Sequence, residues 1–99
     1  MNYKHVYAPF AISEYKEAIE WYNERSKTGA ENFVRDVNEK IKSICINPLR
    51  YRNAYKYFRK TSLKKYPFYI VYFIDESKKI VVISSVYHHK RNPKKKYEK

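Results

Sequence analysis

The sequence has 99 residues, enough for one domain (residues 1–99) with a modest core. Its net charge is +12, and residues 51–99 carry 14 basic against 3 acidic residues, so almost all of the excess lies in one half of the chain. This asymmetry favours a polyanionic partner, either nucleic acid or an acidic protein. No apolar run approaches the ~20 residues of a membrane span, and the single cysteine, Cys45, excludes an internal disulfide, so we expect a soluble cytoplasmic protein.

The first half of the chain predicts a strand followed by two helices. Residues 3–8 alternate and are rich in β-forming side chains, which predicts a short strand that Pro9 ends. In residues 10–26 apolar side chains recur every three or four positions, which indicates a one-sided helix. Its stripe consists of Ile12, Tyr15, Ala18, Ile19 and Tyr22, with Trp21 at the margin and with Glu14, Glu17, Glu20 and Glu24 on the outer side.

The second helix has a start signal and a stop signal. Thr28 and Glu31 have the spacing of a capping box, in which the two residues satisfy each other's free backbone amides. The apolar stripe that follows runs to Pro48, which stops it. Cys45 lies on this stripe and is expected to be a small core residue rather than a nucleophile. Because only a few residues separate the two helices, we expect an antiparallel hairpin.

After Pro48 the apolar period changes from that of a helix to that of strands. Residues 55–66 predict a basic strand, residues 68–74 a strongly apolar strand, and residues 80–89 a third strand. The short turns between them favour an antiparallel meander. The predicted fold is α+β, of order β-α-α-β-β-β, with the helical hairpin packed on an antiparallel-rich sheet. The tail, residues 92–99, is too charged to pack and is expected to be mobile.

Two adjacent histidines end the third of these strands. In a strand His88 and His89 point to opposite faces, so they cannot easily share a metal ion, and we expect no metal and no cofactor. Histidine is a common general acid or base, so His89 could act in that role, or it could be a strand-end residue without a task. The basic residues around it are Arg59, Lys60, Lys64, Lys90 and Arg91. Such cations, interleaved with rings such as that of Tyr87, suit RNA.

Four segments together resemble the RelE/ParE family of bacterial type II toxins. The stretch "AIEWYNE" resembles the family's first helix, and "FVRDVNEKIKSICINPLRY" resembles its second helix followed by Asn-Pro. The stretch "RKTSLKKYPFYIVYFI" resembles the central strand pair, and "VISSVYHHKRNP" resembles the last strand with its basic tail. The segments occur in the family's order and span nearly the whole chain.

The resemblance implies a small toxin that is held by an acidic antitoxin protein, a partner that the basic half of the chain would suit. RelE-type members cleave messenger RNA inside the ribosome, using basic side chains that position the 2′-hydroxyl and stabilise the transition state. ParE-type members act on DNA gyrase and are not nucleases. Whether this chain is an enzyme therefore depends on which mechanism it shares.

The residue pattern divides between these two mechanisms. Lys60 and His89 fall where RelE-type toxins have a catalytic lysine and a catalytic Arg or His. Tyr69, however, replaces the arginine of the RelE-type central strand, Ser62 stands where a second lysine is expected, and Tyr97 lies two positions late for the C-terminal tyrosine. Losing a fixed guanidinium from a phosphate site is not a conservative change.

The step Tyr66-Pro67-Phe68 and the His-Lys-Arg-Asn-Pro ending are more similar to ParE-type toxins. We therefore predict a ParE-like toxin that acts on DNA gyrase and is neutralised by a cognate antitoxin. The alternatives are a RelE-like ribosome-dependent mRNA endoribonuclease, with His89 and Lys60 as catalytic residues, and a non-catalytic nucleic-acid-binding relic of the same fold. The expected contacts to nucleic acid or to the target are Arg59, Lys64, Tyr87, Lys90 and Arg91.

Overall fold

A computed structural model describes residues 2–98 of the chain. In chain order its elements are β1 (Lys4–Tyr7), α1 (Pro9–Arg25), α2 (Lys27–Ile46), β2 (Asn53–Tyr55), β3 (Phe58–Ser62), β4 (Phe68–Asp75), β5 (Ile80–His88) and a short 3-10 helix (Lys94–Tyr97). The predicted α+β class and element order are confirmed, with β2 as an additional short strand. Neither α-helix of the described part of the chain has the length and apolar character that a membrane span requires.

The buried side of α1 is rotated slightly from the predicted stripe. Pro9 begins the helix, where its missing N–H is not needed. Ala11 is fully buried and Glu14 is 7% exposed, whereas Ile12 is 39% exposed. The prediction that Glu14 lies on the outer side is therefore wrong, because hydrogen-bond donors from β5 meet its carboxylate inside the protein. Trp21 is half-exposed, as its place at the margin of the stripe predicts.

The two helices are joined through a single residue, Ser26. Its extended backbone ends α1, and its hydroxyl accepts a hydrogen bond from the Gly29 amide at 3.0 Å, which caps α2. The predicted capping box of Thr28 and Glu31 is wrong, because α2 begins at Lys27 and Thr28 already lies in the first turn. The predicted end of α2 before the Asn-Pro step is confirmed.

The strands form one five-stranded sheet of order β1-β5-β4-β3-β2. The predicted antiparallel meander is confirmed for β3, β4 and β5, and β1 pairs with β5 in parallel at one edge. The basic segment of residues 55–66, which was predicted as one strand, is interrupted by a turn at Lys56, where φ is 51°. A left-handed backbone cannot continue a strand, so β2 and β3 are separate.

The sheet has two differently covered faces. The helical hairpin covers one face. The main core lies between the hairpin and this face of the sheet, and Phe33 and Val37 of α2 are fully buried in it. Cys45 is buried in this core, as predicted. The other face, which we call the open face, holds a smaller cluster built on Phe58, Val71 and Tyr87. Polar and charged side chains of β3, Lys60 and Ser62, stand beside this cluster on the open face.

The tail packs on the open face. The ring centroid of Tyr97 lies 4.9 Å from that of Tyr55 and 5.3 Å from that of Phe58. The structure corrects the expectation that this segment is too charged to pack, because Tyr97 supplies an apolar anchor while Lys94 and Lys95 stay exposed. The mobility of residues 92–99 in solution stays a prediction.

Candidate functional site

On the open face, the two residues predicted as a catalytic pair are both neighbours of the Tyr69 ring. The Nζ atom of Lys60 lies 4.1 Å from the centroid of the Tyr69 ring, and the His89 ring lies 4.2 Å from the same ring. The Ser62 hydroxyl and Nε2 of His89 are hydrogen-bonded at 3.0 Å. The Tyr69 ring is therefore the shared neighbour of an ammonium group and an imidazole.

The register of the sheet produces this arrangement. Ser62 lies opposite Tyr69 in the β3–β4 pair, and Tyr69 lies opposite Tyr87 in the β4–β5 pair. His89, two residues beyond Tyr87, returns to the same face because side chains alternate along a strand. Its amide donates to the Pro67 carbonyl at 2.8 Å, which keeps it in line with β5 just after that strand ends.

His88 lies on the opposite face, as predicted for adjacent strand residues. Its ring packs edge-on against Phe68 of the main core at 5.3 Å, and its Nδ1 accepts a hydrogen bond from the Lys90 amide at 3.1 Å. Within residues 2–98 no group of three or more His, Cys, Asp or Glu side chains is placed to hold a metal ion. The two histidines therefore lie on opposite faces of the sheet and have different neighbours.

A positively charged cleft of about 340 Å³ opens beside Lys60. It is lined by Arg50, Tyr51, Arg52, Lys60, Thr61, Ser62 and Tyr69, which include no aspartate or glutamate. Burial lowers the pKa of the Lys60 ammonium, and the nearby charges of Arg52 and Lys96 lower it further. Three cations thus converge without a carboxylate in the cleft lining, an arrangement that favours an anionic ligand.

Two of the predicted contact residues are engaged elsewhere. Arg59 points to the other face from Lys60, and its Nη1 donates to the Tyr51 carbonyl at 2.7 Å. This guanidinium therefore holds the segment that precedes β2. Tyr87 is only 3% exposed and packs in the small cluster, so its ring is not presented to a base or to a protein surface.

The other three predicted contacts, Lys64, Lys90 and Arg91, are exposed. Lys64 lies between β3 and β4, and Lys90 and Arg91 follow β5. Because Phe68 pairs with His88, the β3–β4 turn and the end of β5 meet at the same end of the sheet. These cations therefore extend the positive surface beyond the cleft, and Arg91 also lines a second cleft on the helix side.

Sequence reasoning missed three residues that shape these sites. Arg52 and Lys96 come from the segment before β2 and from the tail, and the packing of these segments beside β3 brings their charges to Lys60. The general excess of cations in the second half of the chain was the one signal for them. Glu14 lines the second cleft together with Arg91, and the helical pattern gave no signal that this carboxylate is buried.

The open-face site holds only part of the equipment of a ribonuclease. RNA cleavage requires proton transfer and cations around the reacting phosphate. His89 can transfer a proton and Lys60 can neutralise charge. Ser62 and Tyr69, however, place a hydroxyl and a ring where the resemblance to RelE-type toxins implies two further cations. The open-face site therefore has fewer cations than the resemblance to RelE-type toxins implies.

The sequence profile of the ParE toxin of type II toxin–antitoxin systems (parDE) matches residues 6–93. The chain belongs to the ParE toxin family. The resemblance to RelE/ParE toxins that the sequence motifs indicate is thereby confirmed. No curated protein sequence matches this ParE-family toxin significantly.

Solved structures of low sequence identity share the fold of this ParE-family toxin. The chromosomal ParDE toxin–antitoxin system of P. aeruginosa matches with a TM-score of 0.73 and 17% identity, over 87% of this chain and 95% of that chain. The isolated E. coli RelE toxin matches with a TM-score of 0.65 and 17% identity, over 91% of this chain and 87% of that chain. The intact E. coli RelBE toxin–antitoxin complex matches with a TM-score of 0.64 and 17% identity, over 90% of this chain and 99% of that chain. At this identity the likeness shows the fold alone, and a fold shared with both toxin types does not choose between their targets.

Proposed function

We propose that this ParE-family toxin arrests growth by acting on DNA gyrase and that a cognate antitoxin neutralises it. The observation that carries the proposal is the family match across residues 6–93. The site adds support, because Ser62 and Tyr69 replace cations that a RelE-like ribonuclease would place around its phosphate. The positive cleft then serves to contact a macromolecule rather than to cleave RNA.

The antitoxin in this proposal is an acidic protein. Residues 51–99 carry 14 basic against 3 acidic residues, and the lining of the cleft beside Lys60 contains no carboxylate. An acidic segment would supply the missing charge and would be steered to this surface, so the association rate should fall as salt is added. Sequencing the DNA that flanks the gene tests the idea, since a short acidic reading frame should adjoin it. Co-expression of that frame should restore growth, and failure to do so would remove the antitoxin from the proposal.

One observation favours a second candidate, a RelE-like mRNA endoribonuclease. Lys60 and His89 lie 4.1 and 4.2 Å from the same Tyr69 ring, so a cation and a possible proton-transfer group border one ring on the open face. In that mechanism His89 would act as general acid or base on the RNA, and Lys60 would stabilise the charge that develops in the transition state. The chain would then be an enzyme that works on ribosome-bound message.

Two assays on the purified protein separate these candidates. The gyrase proposal expects loss of DNA supercoiling by gyrase while message on translating ribosomes stays intact. The ribonuclease candidate expects cuts in the message that His89→Ala abolishes, with supercoiling unaffected. If neither effect is seen and induction does not arrest growth, the chain is a relic that binds without acting, and both proposals fail.

The contact role of the cleft is tested by one pair of variants. Lys60→Ala should weaken gyrase inhibition, because it removes the central cation of the cleft. Lys78→Ala is the matched control, since Lys78 is an exposed lysine in the β4–β5 turn at the other end of the sheet. Equal inhibition by the two variants would show that the gyrase contact lies elsewhere on the protein.

A further inference from the structure

The carboxylate of Glu14 is buried and only half satisfied. Its Oε1 accepts hydrogen bonds from the Ser85 hydroxyl at 2.7 Å and from the Val86 amide at 2.9 Å. Its Oε2 is enclosed and has no hydrogen-bond partner among the described residues. Nearly all buried polar groups in folded proteins are hydrogen-bonded, so such an orphan oxygen calls for an explanation. Burial raises the pKa of the Glu14 carboxyl, and the hydrogen bonds from Ser85 and Val86 offset this only in part.

Glu14 forms part of the wall of a cleft of about 310 Å³ between α1 and the end of β5. The aromatic side chains of Trp21, Tyr22 and Phe68 line the same cleft, and Arg91 stands among its lining residues as an exposed side chain. Trp21 is 51% exposed, so an aromatic surface is open to solvent next to the buried carboxylate. The cleft therefore combines an apolar body with one buried negative group, the usual composition of a side-chain or ligand pocket.

The negative charges that line the cleft favour a cationic occupant. Helix α1 carries four glutamates against one lysine and one arginine, so it is an acidic element in a strongly basic protein. Glu17, a second glutamate of α1, also lines the cleft. No ion pair within 4.0 Å joins Glu14 to Arg91 in the described chain, although the Arg91 charge partly lowers the pKa of the Glu14 carboxyl. A cation with hydrogen-bond donors would give Oε2 of Glu14 the hydrogen-bond partner that it lacks.

The aromatic wall favours a guanidinium over an ammonium group. The guanidinium of Arg25, which is not a lining residue of the cleft, lies 3.6 Å from the centroid of the Trp21 ring, so this indole already stacks with a planar cation. Guanidinium stacks on aromatic faces and is more weakly hydrated than ammonium, so it enters a partly apolar cleft at a lower cost. Arginine also presents several donors, one of which can reach a carboxylate while the others remain hydrated.

We propose that the α1–β5 cleft is a docking subsite for an arginine side chain of a partner protein, with the guanidinium paired to Glu14 and the stem against Trp21 and Phe68. Because Oε2 is enclosed in the free protein, the incoming group displaces rim side chains, and the exposed Arg91 is the like charge that it must move aside. The subsite lies on the helix side of the sheet and is separate from the positive cleft beside Lys60. The proposal does not depend on gyrase being the target.

The test uses blocked tripeptides, acetyl-Gly-Arg-Gly-amide as the probe and its citrulline analogue as a neutral control of the same shape. Binding is followed in the wild-type protein by the NMR signals of the Trp21 indole and the Val86 amide, and Trp21 is the one tryptophan of the chain. The arginine peptide should shift both signals and should bind about tenfold or more tightly than the citrulline peptide. Equal binding of the two peptides, or no shift of either signal, would overturn the proposal without the use of any variant.

Three variants then assign the charges. Glu14→Gln should weaken binding of the arginine peptide by about tenfold or more, whereas Glu17→Gln at the same cleft should change it by about twofold or less. Arg91→Ala should tighten binding, because it removes the like charge at the rim. If Arg91→Ala instead abolishes binding, or if acetyl-Gly-Glu-Gly-amide binds better than the arginine peptide, the cleft is an anion site and the proposal is wrong.

Discussion

The carboxylate of Asp36 ties α2 to the turn that leads into β4, and its removal is the sharpest test of how the open-face site is held. Asp36 is 4% exposed, and its Oδ2 accepts hydrogen bonds from the Lys65 and Tyr66 amides, each at 2.9 Å. The next residue, Pro67, provides the carbonyl that receives the His89 amide. The Asp36 carboxylate therefore orders the β3–β4 turn, and this turn positions the His89 imidazole.

The structure allows the cost of Asp36→Ala to be estimated. The substitution leaves two amides without their acceptor, and an unsatisfied buried amide costs about 1–3 kcal/mol. Both bonds are only part-buried, so water can replace some of the loss, and we expect a total of about 2–4 kcal/mol. For a domain of this size, the lower figure corresponds to a fall in Tm of about 8 °C or more. Asp36→Asn keeps one acceptor oxygen and should cost less.

The assay is urea unfolding of the purified protein, combined with amide hydrogen exchange. Asp36→Ala should lower the free energy of unfolding by about 2–4 kcal/mol. It should also speed amide exchange at Lys65 and Tyr66 more than amide exchange in β4. Glu39→Ala is the matched control, because Glu39 is an exposed acid on the same helix and should change stability by less than about 0.5 kcal/mol. If Asp36→Ala costs no more than this control, the turn is held by other contacts and the reasoning fails.

Three further predictions concern the core, the buried carboxylate and the tail. Phe33 is fully buried among four aromatic rings, so Phe33→Ala should cost about 3–5 kcal/mol in urea unfolding, and a loss below about 2 kcal/mol would mean that the core is loosely packed there. Because the folded-state pKa of Glu14 is raised above 4.5, the stability linked to its protonation is fully present below about pH 4.5 and is lost as pH rises through the folded pKa. The free energy of unfolding of the wild type should therefore fall relative to that of Glu14→Gln between acidic and neutral pH, and a constant difference would show that burial does not perturb this carboxyl. Tyr97→Ala should remove the anchor on Tyr55 and Phe58 and make the tail a faster target for limited proteolysis, whereas unchanged cleavage would mean that the tail is already detached.

The elements that the sequence predicts well are those with a strong local pattern. Strand β4 is an apolar run bounded by a proline and a polar turn, and α2 combines a long apolar stripe with a stop signal at Pro48. The start of α2 was misplaced because two capping residues, Ser26 and Thr28, lie two positions apart, and the tight hairpin selects the first. The break at Lys56 was missed because a lysine gives no local sign of a left-handed backbone.

The sites could be predicted only where alternation along a strand was sufficient. That rule separates His88 from His89, and the structure bears it out. It does not show that the Tyr69 ring joins His89 to Lys60, because that contact depends on the register of three strands. Burial of Glu14 depends on a hydroxyl 71 residues later in the chain, a distance over which no local pattern carries information.

The central claim, that this ParE-family toxin acts on DNA gyrase, is tested most directly by the topology of a reporter plasmid in bacteria after induction of the protein. The account predicts that the plasmid loses its negative supercoiling soon after induction while its transcripts remain full-length. A plasmid that keeps its supercoiling while its transcripts are cut within translated regions would contradict the account and assign the chain to the ribonuclease mechanism.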